Sequence, residues 1–241
     1  MIVTIIIPTY NRAEFLERAV ASCQRHGDIA QFDILIIDDG STDATRDVCA
    51  RLSKAHSNVR VLCQENKGVA GARNFGLKNL LLDTDIVTFL DSDDVFPAGR
   101  FAQDLPHFEA DPSLEMTYGR LLHVSAINPD TLEPAADSAS QNMRLTQLSS
   151  GLYSKELIER TGYFAEEMVQ AEDTDFLYRI FEEGVTYLVT DTITVYYVRH
   201  DGNMTNDHDA SNRYTKRAML RSIKRRRDEP WRTMPMPPEW E

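Results

Sequence analysis

The feature that most constrains this fold is the alternation, in the first half of the chain, of short apolar runs with segments of helical spacing. The apolar runs predict strands at residues 2–7, 33–37, 59–63 and 86–90. Each of the first three runs is followed by a segment in which apolar residues recur at helical intervals. Strands that alternate with helices form βαβ units, which assemble into a mostly parallel sheet. We therefore expect an α/β fold with a doubly wound sheet and helices on both of its faces.

Local patterns predict where individual elements begin and end. Asn11, with Glu14 three residues later, is typical of a capping box and predicts the start of the first helix, and Gly27 predicts its end. The other predicted elements are a helix with Val48, Leu52 and Ala55 on one face, a helix over about 69–80, a strand over 114–124, a polar mobile loop over 125–141, helices over 155–161 and from about 172, one or two strands within 185–198, and a basic helix over 213–227.

The length of 241 residues favours one compact domain with a tail. We place that domain at residues 1–228, with a first half at 1–94, which carries the polar strand ends, and a second half at 95–228. Residues 229–241 are rich in proline and methionine and are expected to form a separate tail.

Charge and cysteine content exclude several classes of protein. The chain has 26 basic and 38 acidic residues and a net charge of -12, which argues against a sequence-independent hold on nucleic acid. Its three cysteines are scattered and odd in number, which suits a reducing compartment better than a disulfide framework. The apolar runs are all too short to cross a bilayer. We expect a cytoplasmic protein, with peripheral contact at the inner face of the membrane as an open alternative.

Polar residues follow all four predicted strands. In a doubly wound sheet, ligands bind at the carboxyl ends of the strands, so these residues are the candidate site. The segments are Pro8, Thr9, Tyr10 and Asn11 after the first strand, residues 38–41 after the second, residues 66–68 after the third, and Asp91, Ser92, Asp93 and Asp94 after the fourth.

The residue types at these ends suit a metal-bound diphosphate. Oxygen ligands such as Asp91 and Asp93 are preferred by Mn²⁺ and Mg²⁺, which share the rest of their coordination shell with water and phosphate. Asp39 can accept hydrogen bonds from a base or a ribose, although a simple capping turn is the alternative for this segment. Adjacent acids repel, and Arg73 is the candidate cation beside Asp38 and Asp39. Gly68 opens a helix start to which a phosphate could come close.

Taken together, residues 8–12, 38–41, 68–74 and 90–94 resemble the nucleotide-binding half of the family 2 glycosyltransferases, which have the GT-A (Rossmann-like) fold. The resemblance implies that Thr9, Tyr10 and Asp39 contact the base and that Arg73 contacts the nucleotide. It further implies that Asp91 lies near the ribose and that Asp93 ligates a Mn²⁺ or Mg²⁺ ion on the diphosphate. Pro8, Asn11, Gly68 and Ser92 complete the predicted donor-binding set.

The second half resembles the same family through residues 162–164 and 171–176. There the family places its general base in a Glu-Asp pair, which here is Glu172 and Asp173, with Asp173 as the base. A carboxylate at a helix N-terminus is held ionised by the helix dipole and can take a proton from a hydroxyl. His200 resembles the histidine that some members direct at the metal or the diphosphate.

The resemblance implies an inverting, metal-dependent transfer of sugar from a nucleotide-sugar donor, with a UDP-sugar expected, to a saccharide or lipid-linked acceptor. We expect the acceptor to lie against residues 125–141 and the region after Asp173. The alternatives are an inactive nucleotide-sugar-binding regulator, a sugar-nucleotide pyrophosphorylase and a phosphoacceptor signalling domain. The intact acid pairs argue against the inactive regulator. A pyrophosphorylase needs a glycine-rich turn that residues 8–12 do not have, and a signalling domain would leave residues 126–241 unexplained.

The basic C-terminal helix, at residues 216–227, could rest on an anionic membrane surface. Its apolar residues, Met219, Leu220 and Ile223, form only a thin stripe. A solvated helix packed against the domain is therefore the preferred interpretation, and membrane contact is the alternative.

Overall fold

The structure is a computed structural model, and it describes residues 1–143, 147–203 and 206–234. Residues 235–241 of the predicted tail lie outside the described residues. The strands are β1 (Ile2–Thr9), β2 (Gln31–Asp38), β3 (Val59–Cys63), β4 (Ile86–Phe89), β5 (Met116–Val124), β6 (Ser140–Met143), β7 (Gly151–Ser154) and β8 (Tyr187–Val198). The α-helices are α1 (Ala13–Gln24), α2 (Thr45–Ala55), α3 (Gly68–Leu77), α4 (Arg100–Ala110), α5 (Lys155–Thr161), α6 (Glu172–Glu182) and α7 (His208–Asp228).

All eight strands belong to one sheet in the order β3-β2-β1-β4-β7-β5-β6, with β8 paired to β5. The four strands of the first half run parallel to one another, and so do β5 and β8. Strand β7 is antiparallel to both β4 and β5, and β6 is antiparallel to β5. The predicted α/β fold with a mostly parallel sheet is confirmed. The parallel pairing brings the carboxyl ends of β1 to β4 to one edge.

Helices cover both faces of this sheet, because alternate side chains of each strand point to opposite faces. On one face, Ile5 and Ile34 pack in a cluster with Leu16 of α1 and Val48 of α2. On the other face the cluster holds Ile6 and Leu35 from the strands, Ala70 and Ala72 from α3, Leu157 from α5, and Phe176 and Ile180 from α6. This arrangement is the doubly wound layer structure that the sequence predicts.

The start of the first helix is corrected by the structure. Helix α1 begins at Ala13, and Asn11 has a left-handed backbone with φ of 51° instead of a capping role. The Asn11 Oδ1 accepts hydrogen bonds from the backbone N–H groups of Thr42 at 2.8 Å and Asp43 at 3.3 Å. Asn11 therefore links the ends of β1 and β2. The capping-box prediction was wrong because the same side chain satisfies another loop.

Other boundaries differ by a few residues. Helix α1 ends at Gln24, and Gly27 begins a short 3₁₀ turn after it, with a positive φ of 65°. In α2 the buried positions are Thr45, Val48, Cys49 and Leu52, whereas Ala55 is exposed. Strand β8 covers the region predicted as one or two strands, and α5 has the predicted bounds.

The segment predicted as a mobile loop over 125–141 is folded back on itself. Ile127 forms an isolated bridge with Pro134, and the Asn128 N–H donates to the Glu133 carbonyl at 2.8 Å. Its last residues enter β6, which pairs with the end of β5. Backbone hydrogen bonds thus give this polar segment a hairpin-like form that its composition did not predict.

Within the described residues, no helix combines the length and the apolar character needed to cross a membrane.

Candidate active site

The turn after β2 contains two aspartates, Asp38 and Asp39, which make different contacts. The Asp38 Oδ1 accepts a hydrogen bond from the Ser41 N–H at 2.9 Å, and its Oδ2 accepts one from the Arg46 Nε at 3.2 Å. Asp38 therefore closes the turn and is paired with Arg46. Arg73, the cation predicted from the sequence for this acid pair, pairs elsewhere, so that prediction was wrong.

Asp39 is nearly buried and ties the end of β2 to the loop between β3 and α3. Its Oδ1 accepts hydrogen bonds from the Gln64 Nε2 at 2.7 Å and from the Lys67 N–H at 2.9 Å. Its own N–H donates to the Thr9 carbonyl at 2.9 Å. Asp39 thus lies where the ends of the three outer parallel strands meet.

The end of β1 contributes both buried and exposed groups. Pro8 and Thr9 are buried within the strand, whereas the side chain of Tyr10 is exposed. Among the described residues, the buried Thr9 Oγ1 has no hydrogen-bond partner. Asn11 serves the loop contacts given above. A flat ligand at this edge could therefore meet the exposed Tyr10 ring.

Arg73 joins the two halves of the molecule. It projects from α3 and is buried, and its Nη2 donates to the Asp91 Oδ1 at 2.8 Å while its Nη1 donates to the Glu172 Oε1 at 2.5 Å. Asp91 follows β4, and Glu172 is the first residue of α6. A single guanidinium thus fixes the last strand of the first half against the helix that carries the predicted base.

The acids around Arg73 are electrostatically coupled. Burial raises the pKa of Glu172 to about 7, although Arg73 opposes the rise. Burial also raises the pKa of Asp91, again against Arg73, and the negative charge of Asp93 adds to the rise. For Arg73 itself burial lowers the pKa, but Asp91, Glu172 and Asp173 outweigh this and raise it. Five charged groups therefore share one small region, and the four acids outnumber the single cation.

Asp173 lies in the first turn of α6. Its Oδ1 accepts hydrogen bonds from the Thr174 N–H at 2.6 Å and the Thr174 Oγ1 at 3.3 Å. The preceding Ala171 has a left-handed backbone with φ of 56°, which turns the chain sharply into the helix. Asp173 is partly exposed, whereas Glu172 is buried. Of the predicted acid pair, only Asp173 is open to an incoming hydroxyl.

Asp93 is held from the other side. Its Oδ2 lies 3.0 Å from the His200 Nε2 and 3.6 Å from the Arg12 Nε. The His200 Nδ1 accepts a hydrogen bond from the Gly202 N–H at 3.1 Å, so in the neutral ring the proton is on Nε2 and is donated to Asp93. The His200 ring stacks on Phe15 at a centroid distance of 4.9 Å. The structure thus brings the two predicted metal ligands together.

Asp94 and Arg18 also shape this corner, and sequence reasoning did not assign a role to either. The buried Asp94 accepts a hydrogen bond from the Val198 N–H at 2.9 Å, which ties the end of β4 to the end of β8 just before His200. Burial raises the pKa of Asp94 well above its usual range, with Asp93 and Asp91 adding to the effect. The Arg18 Nη2 donates to the carbonyl of Asp93 at 2.7 Å. The one sequence signal for Asp94 was its place in the acidic segment at residues 91–94, and no sequence pattern indicated Arg18.

These residues suit a divalent cation that is shared with a phosphate ligand. The described residues contain no group of three or more His, Cys, Asp or Glu side chains that could hold a metal alone. Magnesium and manganese, however, are commonly bound by one or two carboxylates, with water and substrate oxygens completing the shell. Asp93, with Asp91 two residues away, offers such a partial set. Because its Nδ1 accepts from Gly202, His200 would have to exchange that hydrogen bond before its Nε2 could ligate a metal.

The remaining predicted positions line the same edge. Gly68 begins α3 with a φ of 76°, and its N–H is 3.3 Å from the Asn66 Oδ1. Ser92 is buried between the two acids. The predicted site therefore gathers into two linked groups. One is formed by Asp39 and the loop before α3, and the other by Arg73, Asp91, Glu172 and Asp173, with Asp93 and His200 next to it.

Comparison with known protein families matches this chain to one family model. The model described as glycosyl transferase family 2 matches residues 4–156. That segment includes most of β1, all of β2, β3 and β4, Arg73 and the acids after β4.

Two curated relatives match part of the chain. The minor teichoic acid biosynthesis protein GgaA of Bacillus subtilis is 35% identical over 96 residues, which are 39% of this chain and 22% of the relative. The succinoglycan biosynthesis protein ExoW of Rhizobium meliloti is 38% identical over 113 residues, which are 45% of this chain and 35% of the relative. The matched segment thus spans well under half of each of these relatives.

Two solved structures share the fold over most of the chain. TarS 1-349 of S. aureus in complex with UDP-GlcNAc has a TM-score of 0.74 at 18% identity and covers 93% of this chain and 66% of that one. The mannosyltransferase PcManGT of Pyrobaculum calidifontis, in complex with GDP-Man and Mn²⁺, has a TM-score of 0.69 at 18% identity and covers 92% and 64%. The likeness identifies the GT-A fold predicted from the sequence.

Proposed function

The chain belongs to glycosyl transferase family 2, and from this premise we propose that it transfers a sugar from a nucleoside-diphosphate donor to an acceptor hydroxyl with inversion at the anomeric carbon. The donor is a UDP-sugar, and the acceptor is a saccharide or a lipid-linked molecule. A nucleotide-sugar donor is supported by the two complexes of like fold, one with UDP-GlcNAc and one with GDP-Man.

The observation that carries the proposal is the bridge made by Arg73. This buried guanidinium contacts Asp91 and Glu172, and so it brings the carboxyl end of β4 next to the start of α6. A donor diphosphate near Asp91 and Asp93 would then lie beside Asp173. Direct displacement needs this proximity, because the hydroxyl that the general base deprotonates must attack the anomeric carbon on the side opposite the leaving diphosphate.

The roles of the residues follow from their chemistry. Asp173 accepts the proton of the acceptor hydroxyl as its oxygen attacks the anomeric carbon, while the bond from that carbon to the diphosphate oxygen breaks. A bound Mn²⁺ or Mg²⁺ would stabilise the charge that develops on the diphosphate. Asp93 and Asp91 would hold the cation. Glu172 keeps Arg73 in place. Asp39 and the Tyr10 ring face the nucleotide base of the donor.

The test compares two aspartates that both lie in the first turn of a helix. Asp173→Asn removes the proton acceptor but keeps the shape, so we expect donor binding to persist and transfer to fall by at least about 10²-fold. Asp47→Asn is the matched control, since Asp47 is exposed in the first turn of α2 and is not one of the predicted site residues. Donor binding is measured by the thermal shift with UDP and Mn²⁺, and transfer by release of UDP from UDP-sugars.

Wild-type transfer by Asp173→Asn would refute the assignment of the base. Wild-type protein that binds the nucleotide sugar but never releases UDP, with any acceptor, would instead support the alternative of an inactive regulator. A second substitution, Asp93→Ala, should weaken donor binding and remove its dependence on Mn²⁺. Unchanged metal dependence would contradict the metal assignment alone.

A further inference from the structure

Helix α7 (His208–Asp228) packs on the protein through charged side chains. The Arg221 Nε is 3.0 Å from the Asp175 Oδ1, and the Arg225 Nη1 is 2.8 Å from the same oxygen. Arg225 also reaches the Glu182 Oε2 at 2.7 Å. Both acids are fully buried on α6. The inner face of α7 is therefore an ion-pair surface, and the small side chains of Ala218 and Ser222 lie between the pairs.

The apolar side chains of α7 point the other way. Met219, Leu220 and Ile223 are 47%, 66% and 55% exposed. At 100° per residue these three lie together on the side of the helix opposite Ala218 and Arg225. A surface helix normally turns its apolar stripe to the core. The helix packs against the domain as expected from the sequence, but its thin apolar stripe faces solvent.

The same outer face is strongly basic. Residues 213–227 contain eight basic residues and no acid. Arg221 and Arg225 are used on the inner face, but other basic side chains are exposed among the apolar ones. These are Arg213, Lys216, Arg217, Lys224 and Arg227, of which Arg227 also pairs with Asp228. Since the chain as a whole carries a net charge of -12, positive charge is concentrated here.

We propose that this outer face of α7 binds the surface of an anionic lipid bilayer. Basic side chains would lie among the lipid headgroups, and Met219, Leu220 and Ile223 would enter the boundary with the acyl chains. An anionic bilayer attracts this face and repels the acidic remainder, so the charge pattern also sets the orientation. A second copy related by twofold symmetry would place the basic face against itself, which disfavours self-association as the occupant.

Docking through α7 would act close to the reaction site. The inner face of α7 packs on α6 and on the segment that leads into it, where Tyr178 of α6 and Met168 of that segment form a cluster with Ala218. Arg221 also pairs with Glu167 at 2.6 Å. Asp173 follows this segment directly. The assignment of a lipid-linked acceptor rests on the proposed function, whereas binding of the bilayer does not.

Co-sedimentation with vesicles tests the proposal. The wild-type protein should bind vesicles made of equal parts phosphatidylglycerol and phosphatidylcholine and should not bind pure phosphatidylcholine. Binding should weaken as salt is added, because exposed charges are screened. Equal binding to both vesicles, or no binding to the anionic ones at low salt, would overturn the proposal.

Paired variants separate the two components of binding. Lys216→Gln with Lys224→Gln should weaken binding to the anionic vesicles about thirty-fold, since each basic residue contributes about fivefold near such a surface. Leu220→Ser with Ile223→Ser should weaken it by about tenfold or more. The matched controls are Lys54→Gln, an exposed lysine of α2, and Leu82→Ser, an exposed leucine at 97%. Controls that weaken binding as much as the α7 variants would also overturn it.

Two further measurements make a failure interpretable. UDP release from the donor, assayed without vesicles, should be unchanged in the α7 variants, so that loss of docking is distinguished from loss of the proposed reaction. Light scattering compares the wild type with the Leu220→Ser, Ile223→Ser double variant. The wild type should not self-associate in a way that the double variant abolishes. If it does, and vesicles are not bound, a second copy occupies this face and the lipid proposal is refuted.

Discussion

In the first 94 residues the candidate site is held by short loops at the ends of parallel strands, whereas after residue 94 it is held by buried ion pairs between distant segments. Asp39 is fixed by hydrogen bonds to Gln64 and Lys67 in a neighbouring loop. The start of α6, in contrast, is fixed by Arg73 at one end and by the α7 arginines on its side. Loop contacts of this kind are many and individually small, but a buried charge that loses its partner is costly. The difference indicates that the second half is the more vulnerable to single substitutions.

The largest expected effect is at Arg73, where the two kinds of support meet. Arg73→Met leaves Glu172 and Asp91 without their cation, so the free energy of unfolding should fall by about 3–5 kcal/mol and transfer should be lost. Urea unfolding and UDP release measure the two effects. Arg51→Met breaks an exposed pair with Glu17 and should cost at most about 1 kcal/mol. Equal costs for the two variants would remove the distinction between the halves.

The next effect lies wholly within the second half. Asp175 is buried and is paired with Arg221 and Arg225, so Asp175→Asn should lower the free energy of unfolding by about 3 kcal/mol. Transfer should fall as well, because α6 carries Asp173 one half-turn earlier. Asp228→Asn is the control, since its pair with Arg227 is exposed. A stable Asp175→Asn variant would show that apolar packing, and not the ion pairs, holds α7 to the protein.

The sequence predicted the first half far better than the second, because neighbouring loops hold the first half whereas ion pairs between distant segments hold the second. Strand β3 has the predicted bounds, and Asp39, Asp91 and Asp93 meet at one edge, because periodicity and strand ends are local features. The pairs made by Arg73 and Arg225 join residues 99 and 50 positions away, and no periodicity records them. Arg73 was accordingly assigned to the wrong acids. The sequence predicted that α7 packs against the domain, but its pattern did not record that the packed face is charged.

A histidine at the boundary between the halves should make the free energy of unfolding depend on pH. His26 is buried against Phe101, and burial, with Arg100 and Arg25 nearby, lowers its pKa to about 3. The unfolded chain therefore binds a proton near pH 6.5 that the folded protein rejects. The contribution of His26 to stability is complete above pH 6.5 and is lost as the pH falls towards 3.

Urea unfolding of the wild type and of His26→Leu at several pH values tests this. Between pH 6.5 and pH 5 the wild type should lose about 2 kcal/mol that the variant does not lose. Parallel pH profiles would mean that His26 gains its proton without unfolding, and that the contact between the halves tolerates a buried charge.

The smallest effect should arise in the first half, at the turn that holds Asp39. Gly40 has a φ of 79°, and a Cβ at this position would lie 2.9 Å from the backbone nitrogen of Asn66, whereas Gly27, with a φ of 65°, has open space around it. Gly27→Ala should cost about 1 kcal/mol, which is the penalty of the left-handed backbone alone. Gly40→Ala should cost about 2 kcal/mol, because the loop at residues 64–67 must also shift. Since that loop holds Asp39, only Gly40→Ala should raise the KM for the donor, with kcat nearly unchanged. A Gly40→Ala variant that loses as much stability as Arg73→Met would contradict the comparison, because a loop contact would then matter as much as a buried ion pair.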